Sequence, residues 1–343
     1  MAKINGAGTS ERPFRRTNFW SCLLAAAVLA GSSSSPAQAV SGTLVLYTSQ
    51  PNKDAQETVD AFRKVHPDVE VDWIRDGTTK VMAKLRAEMA AGTPKPDVLL
   101  IADVVNMESL KQDGKLQAHV DAPVQAYDST LYDADMTYFS TKLITTGIVY
   151  NTGAPMQPAD WADLVRPEAK GLVAMPSPLT SGAATVHMDT LTANDTLGWD
   201  YYRKLADNGV TPKGGNGGTF KSVAGGEKLY GMVVDFVPIR AKAKGSPVEF
   251  VFPVSGVSAV TEPVAILSTA NNVTAARAFV DFLLSPEGQQ LAAGQGYLAA
   301  HPDVAPPDGF PPRDQINLMP FDAVKALANA EQNKARFVEV FGQ

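Results

Sequence analysis

The chain has 343 residues, 30 Lys+Arg against 36 Asp+Glu, a formal net charge of −6 and 45% hydrophobic residues. That acidic balance excludes electrostatic nucleic-acid binding, and the length fits two folded domains or lobes. A single cysteine excludes a disulfide framework and a cysteine-rich metal site.

Residues 1–39 read as a cleaved secretory signal peptide. Arg12, Arg15 and Arg16 give a basic start, and the apolar run from Leu23 to Ala30 is too short to span a bilayer. Ala37-Gln38-Ala39 supplies an A-x-A cleavage pattern, with Val40 as the first mature residue. Arg15-Arg16 fits twin-arginine export, but Thr17-Asn18 separate the pair from Phe19, so both export routes stay open. Cys22 lies near the start of the apolar run rather than at the cleavage point, which argues against a lipoprotein anchor. Taking 39 residues from 343 leaves 304; losing Lys3, Arg12, Arg15, Arg16 and Glu11 moves the net charge from −6 to −9. No other apolar run reaches the ~18 residues of a membrane span.

Along the mature chain, Thr43 to Tyr47 (TLVLY) reads as a buried strand. A helix follows from Asp54 to Val65, stopped by Pro67. Val69 to Ile74 alternates as a second strand, and Asp76-Gly77-Thr78-Thr79 makes a turn before a helix from Lys80 to Ala91. Asp97 to Ala102 is a third strand. This βαβαβ order predicts a parallel sheet flanked by helices, with ligands beyond the carboxyl ends of its strands. A second α/β lobe is expected to begin near Leu143. It contains a strand at Leu172 to Met175, helices at Ala183 to Thr192 and Gly198 to Asn208, a glycine-rich loop at Gly214 to Gly218, a short helix at Thr219 to Gly226 and a strand at Leu229 to Val234. The chain is expected to cross back near Thr261 into a strand, Pro263 to Leu267, and an apolar helix, Ala275 to Leu284.

Several segments together carry a family resemblance. Leu46-Tyr47-Thr48-Ser49, Gly147 to Asn151 (GIVYN), Trp161 to Leu164 (WADL) with Gly171, Gly231 to Gly245 (GMVVDFVPIRAKAKG) and Asn272 to Gln289 (NVTAARAFVDFLLSPEGQ) occur in the order and spacing of class II solute-binding proteins of bacterial ABC importers. The group resembled includes binders of ferric iron, sugar phosphates, 2-aminoethylphosphonate and thiamine. The resemblance implies an α/β fold of two lobes, each a mainly parallel sheet flanked by helices, joined by a two-crossing hinge. Lobe 1 is expected to comprise residues 40–140 plus 259–304, and lobe 2 residues 141–258 plus 305–343. The implied partners are a small anionic solute and an inner-membrane ABC permease; the implied location is the periplasm and the expected state a monomer. No cofactor and no catalytic residue are expected. In the iron branch two adjacent tyrosines hold the metal in the segment matching Gly231 to Gly245; here the positions read Asp235-Phe236, which resembles the organophosphate and phosphonate branch.

Candidate solute contacts are Thr48, Ser49, Thr78, Thr79, Asp103, Ser177, Thr180, Ser181, Gly182, Thr219, Asp235 and Phe236. Ser177 to Gly182 precedes a helix N-terminus, whose free amides and positive dipole end suit a phosphate. Ordinary capping by Thr180 or Ser181 is the alternative. Thr48-Ser49 and Thr78-Thr79 offer the same chemistry from the first lobe, with Lys80 nearby. Gly217-Gly218-Thr219 is an amide-rich loop without the spacing of a nucleotide-binding P-loop. Asp235 ends an apolar strand, where an unpaired carboxylate is costly; it either meets solute hydroxyls or an ammonium, or bonds backbone amides or Arg240. Phe236 would add an apolar wall, and Asp103 and Glu262 are weaker carboxylate candidates. Tyr201-Tyr202 shares a helical face with Trp199 and Leu205 and reads as packing. The four histidines are scattered, His187 lying in a helix close to the Ser/Thr loop. Ferric iron and thiamine remain alternative cargoes. A secreted hydrolase is the alternative of another class, opposed by the lack of a G-x-S-x-G elbow and of a base placed for Ser181.

Overall fold

The structure is a computed structural model and describes residues 40–342. The expected signal peptide, residues 1–39, lies outside the described residues. In the first half, β1 (Gly42–Thr48), α1 (Asn52–Val65), β2 (Val69–Arg75), α2 (Thr78–Ala90), β3 (Val98–Leu100), α3 (Val104–Gln112), β4 (Leu116–Gln117) and β5 (Tyr138–Ser140) follow one another. The chain then enters β6 (Lys142–Asn151), β7 (Val173–Ala174), α4 (Gly182–Thr192), α5 (Gly198–Asp207), α6 (Asn216–Ala224), β8 (Tyr230–Val234), α7 (Phe236–Lys242), β9 (Val248–Val251) and β10 (Ser258–Val260). Last come β11 (Pro263–Leu267), α8 (Val273–Leu284), α9 (Pro286–Gly294), β12 (Leu298–Ala299) and α10 (Ala323–Phe341). Among the described residues no helix is long and apolar enough to cross a membrane.

The strands form two six-stranded sheets, one in each lobe. The first runs β2-β1-β3-β11-β4, with β5 also on β11. Its β2-β1-β3 half is parallel, as the βαβαβ pattern requires, whereas β11 returns from the other lobe and pairs antiparallel with β3, β4 and β5. Period-two alternation covers both faces. Leu44, Leu46, Val98 and Leu100 face α1 and α8 with Phe62 and Phe279, while Tyr47, Leu99 and Ile101 face α2 and α3 with Val81, Leu85 and Met107. Phe62 and Phe279 meet edge to face at 5.0 Å, a favoured aromatic geometry.

The second sheet is organised around β6, which pairs antiparallel with β8, β9, β10 and β12; only β7 and β8 are parallel. The mainly parallel pairing expected of both lobes therefore holds for the β2-β1-β3 part and not around β6. β6 is one continuous ten-residue strand that enters from the first lobe, and the four strands that pair with it all run in the opposite direction.

The chain passes between the sheets at Thr141-Lys142 and again at Thr261-Glu262, the two crossings expected. It passes a third time after α9, where β12 joins β6. Ser285 shapes the turn before that passage, its Oγ accepting from the Gly288 amide and donating to the Phe282 carbonyl. A Cβ at Gly288 would lie 2.0 Å from that same carbonyl oxygen, so the S-P-E-G sequence admits only glycine there.

Candidate functional site

A cavity of about 650 Å³ opens between the lobes at the carboxyl ends of β1, β2 and β8. Three helices, α2, α4 and α6, present first-turn amides to it, and a fourth, α1, reaches it only through Pro51, which has no N–H. Pro51 opens α1, Gly77 to Lys80 open α2, Ser181 and Ala183 open α4, and Gly215 to Gly218 open α6. First-turn amides have no intrahelical carbonyl, and each helix adds about half a positive charge at this end. The cavity is therefore rich in donors from both lobes without needing a cluster of lysines and arginines. Ile144, Leu179, Val234, Phe236 and Val237 supply its apolar wall.

Two hydroxyls are arranged to donate into this space. Ser49 Oγ accepts from the Ala102 amide at 2.9 Å. Ser181 Oγ accepts from the Ala184 amide at 3.3 Å and from Asn216 Nδ2 at 3.2 Å. Each oxygen is held by N–H donors, so its own proton remains for an acceptor elsewhere. Thr180 differs: its hydroxyl lies within hydrogen-bonding distance of the carbonyls of Gly214, at 2.7 Å, and of Ser177, at 3.2 Å. It ties the glycine-rich loop to the start of α4.

Four charged groups border the cavity: Arg75, Asp76, Lys80 and Glu262. Glu262 is buried and sits at a left-handed backbone angle, φ 38°, at the second crossing. Its carboxylate pairs with Lys142 at 2.7 Å and accepts from Gln50 Nε2 at 3.2 Å. Behind it, Asp54 of α1 takes an ion pair from Arg240 of α7 at 2.8 Å and a 2.5 Å hydrogen bond from Tyr297. The Arg240 guanidinium lies 4.6 Å from the Phe236 ring centre and 4.4 Å from that of Tyr297, within cation–π range of both. Burial pushes the Tyr297 hydroxyl well above its ordinary pKa, and the nearby Glu262 and Asp54 charges add to this, so it stays a donor.

Of the residues singled out from sequence, Ser49, Thr78, Thr79, Thr180, Ser181 and Phe236 border this cavity. Thr48, Asp103, Ser177, Gly182, Thr219 and Asp235 do not. Thr48 is fully buried, its hydroxyl oxygen accepting from the Gln50 amide. Asp103 caps α3 through the Asn106 amide and side chain, and its burial raises its pKa. Ser177 is buried behind the loop, with the Leu179 amide 3.3 Å from its Oγ. Thr219 faces inward, its methyl group 3.2 Å from where a Cβ on Gly231 would lie. Gly182 lies where the lobes meet: a Cβ there would be 2.6 Å from the Ala102 carbonyl oxygen and 2.9 Å from the Thr78 methyl.

Asp235 corrects the reading of a free carboxylate. It is fully buried, with Oδ2 accepting from the Thr145 amide and hydroxyl at 2.8 and 2.7 Å, and Oδ1 from the Phe236 amide. These contacts tie β8 to β6 and leave no approach for a solute. Burial still pushes its pKa up to about 7, against those donors and Arg240. His187 is likewise structural in its contacts, with Nδ1 2.8 Å from Ser258 Oγ and the ring against Trp161; burial lowers its pKa to about 3. Tyr201 and Tyr202 are buried in the α5 core.

Arg75, Asn216 and Tyr297 are cavity residues that the sequence reading passed over. Arg75 carried a usable signal, since it ends a strand immediately before the Asp76-Gly77 turn. Asn216 and Tyr297 reach the cavity only through long-range packing.

Residues 43–298 match the bacterial extracellular solute-binding protein family. The chain belongs to that family. An uncharacterized protein of Haemophilus influenzae is 29% identical over 338 residues, covering 92% of this chain and 93% of its own. The phosphoglycerate transport regulatory protein PgtC of Salmonella typhimurium is 26% identical over 210 residues, covering 59% of this chain and 52% of its own. The match thus spans about half of PgtC. The periplasmic binding protein AfuA of Actinobacillus pleuropneumoniae, solved with exogenous fructose-6-phosphate bound, shares the fold with a TM-score of 0.79 at 24% identity, over 88% of this chain and 99% of AfuA. Members of the solute-binding family take up a small molecule and hand it to an ABC permease, and they are transport proteins rather than enzymes.

Proposed function

We propose that this solute-binding protein is exported to the periplasm with residues 1–39 removed, and there captures a small phosphorylated or phosphonate-bearing organic molecule. The observation that carries the reading is the convergence of three helix N-termini, α2 from one lobe and α4 and α6 from the other, on one cavity with the hydroxyls of Ser49 and Ser181. A tetrahedral dianion accepts many hydrogen bonds at once, which suits such a set of amides. A volume of about 650 Å³ exceeds what inorganic phosphate needs and leaves an organic part against Phe236, Val237 and Ile144. The bound sugar phosphate of AfuA and the phosphoglycerate in the name of PgtC support the same chemistry. The two lobes, each built on one of the two sheets, would close on the solute, and the closed form would be the one presented to the permease.

The test is a thermal-shift panel on the exported protein after unfolding, removal of ligand and refolding. A solute that binds only the native state raises the melting temperature by mass action, about 2.7 kcal/mol of stabilisation at a hundred times its Kd. Fructose 6-phosphate, 2-aminoethylphosphonate, phosphoglycerate and inorganic phosphate are set against fructose, thiamine and ferric citrate. A shift confined to organophosphorus compounds, and reduced in Ser181→Ala, is the expected result. A shift with ferric citrate or thiamine alone would assign the cleft to another cargo. Among the described residues no group of three or more His, Cys, Asp or Glu side chains is placed to hold a metal ion, so an iron site here would have to be built from other oxygens.

A further inference from the structure

The two carboxylates on the cavity wall already have cations. Glu262 is held by Lys142 at 2.7 Å. Asp76 accepts from the Gly77 amide at 2.7 Å and faces Lys80 at 3.6 Å. Arg75 borders the same cavity and has no carboxylate partner among the described residues. Its Nε donates to the Gln50 carbonyl at 2.7 Å. That single bond orients the guanidinium at the end of β2 and leaves its two terminal nitrogens as an unused edge. Two parallel N–H donors on such an edge match the two oxygens of a carboxylate, a geometry that lysine cannot reproduce.

We propose that Arg75 determines specificity by binding a second anionic group of the solute, a carboxylate, so that the preferred cargo is a small phosphorylated carboxylate. This rests on the reading that the helix N-termini hold a phosphoryl group. Under that reading the phosphoryl group sits among the amides of α2, α4 and α6, and the carboxylate lies toward Arg75. A solute with an ammonium group in that position is disfavoured by like charge, and a neutral hydroxymethyl group leaves the guanidinium edge unmatched.

The test compares two probes that differ only in this group. Titration calorimetry on the ligand-stripped exported protein measures 3-phosphoglycerate and glycerol 3-phosphate, with Arg75→Gln and Arg75→Lys as variants. The native protein is expected to bind 3-phosphoglycerate at least tenfold more tightly. Arg75→Gln should bring the preference below about threefold while leaving glycerol 3-phosphate within about threefold of its original Kd, and Arg75→Lys should restore only part of the preference, since one ammonium replaces a two-pronged contact. Equal binding of the two probes by the native protein would overturn the role of Arg75 while keeping the phosphorylated-solute reading. So would an equal loss of both in Arg75→Gln. Failure of 3-phosphoglycerate to bind while fructose 6-phosphate or 2-aminoethylphosphonate binds would overturn this proposal alone, and failure of every organophosphorus compound would overturn that reading and this proposal together.

Discussion

At the scale of single residues, the site is decided by what each polar atom already touches. Ser49 and Ser181 accept from backbone amides and keep a proton to give; Thr180 has carbonyls within reach of its hydroxyl. Hydrogen bonds to a charged acceptor are worth ~1.5–3 kcal/mol. Ser49→Ala and Ser181→Ala should each therefore weaken a phosphorylated solute by about tenfold or more in calorimetry, and Ser181→Ala should also lower stability by about 1 kcal/mol through loss of the α4 cap. Asp235→Ala should behave otherwise. It strands the buried Thr145 and Phe236 amides, so the expected effect is a loss of about 2 kcal/mol or more of stability, read by urea unfolding, with no selectivity between solutes. From sequence the carboxylates of Asp235 and Asp103 could not be told from solute ligands, because a carboxylate at a strand end looks the same whether its acceptors face amides or a cleft. Asp189 of α4 gives a pH signature. Burial pushes its pKa up to about 7, against a hydrogen bond from Asn333 and with the Asp103 charge adding to the rise. A folded pKa above the unfolded one means stability present below pH ~4 that is lost as pH rises through about 7. Asp189→Asn keeps the Asn333 contact without the charge; it should flatten the fall in melting temperature between pH 5 and 8 and raise the value at pH 8.

At the scale of elements, the chain was most legible where period and turn chemistry agree. The strands and helices of the βαβαβ half read directly from apolar alternation and from Pro67 and Gly77, and the structure differs there by a few residues at each end. The second sheet was less legible, because the continuity of β6 and its four partners depends on pairings as distant as Lys142 with Ala299, which no local period encodes. The helix α10 has an apolar stripe, Ala323, Ala326, Leu327, Ala330, Phe337 and Phe341, interrupted by Asn333 and Lys334, and of these only Ala326 and Phe337 are buried. The start of α4 is where an element meets the opposite lobe. Gly182 there leaves no room for a Cβ against Ala102 and Thr78, so Gly182→Ala should obstruct this approach of the two lobes. The expected outcome is solute affinity reduced by about tenfold or more, a melting temperature of the ligand-free protein within a few degrees of the original, and no solute-induced compaction in small-angle scattering. Full compaction in that variant would show that the lobes do not meet at this point.

At the scale of the whole molecule, the lobes are joined at the back of the cleft by charge pairs and rings. Arg240 of α7 pairs with Asp54 of α1 and lies within cation–π range of both Phe236 and Tyr297, while Lys142 pairs with Glu262 beside the second crossing. Removing one partner from a buried pair leaves an uncompensated charge, at a cost of ~3–5 kcal/mol. Arg240→Met should therefore lower the melting temperature clearly, and it should weaken every solute by a similar factor because it touches none of them. Capture by two lobes also needs the solute to contact both. The most direct measurement is a crystal structure of the exported protein with its tightest organophosphorus solute from the thermal-shift panel. The expected density places phosphorus among the first-turn amides of α2, α4 and α6, within hydrogen-bond reach of Ser49 and Ser181. A phosphoryl group bound elsewhere, or a metal ion in the cleft with the helix N-termini facing only water, would contradict it.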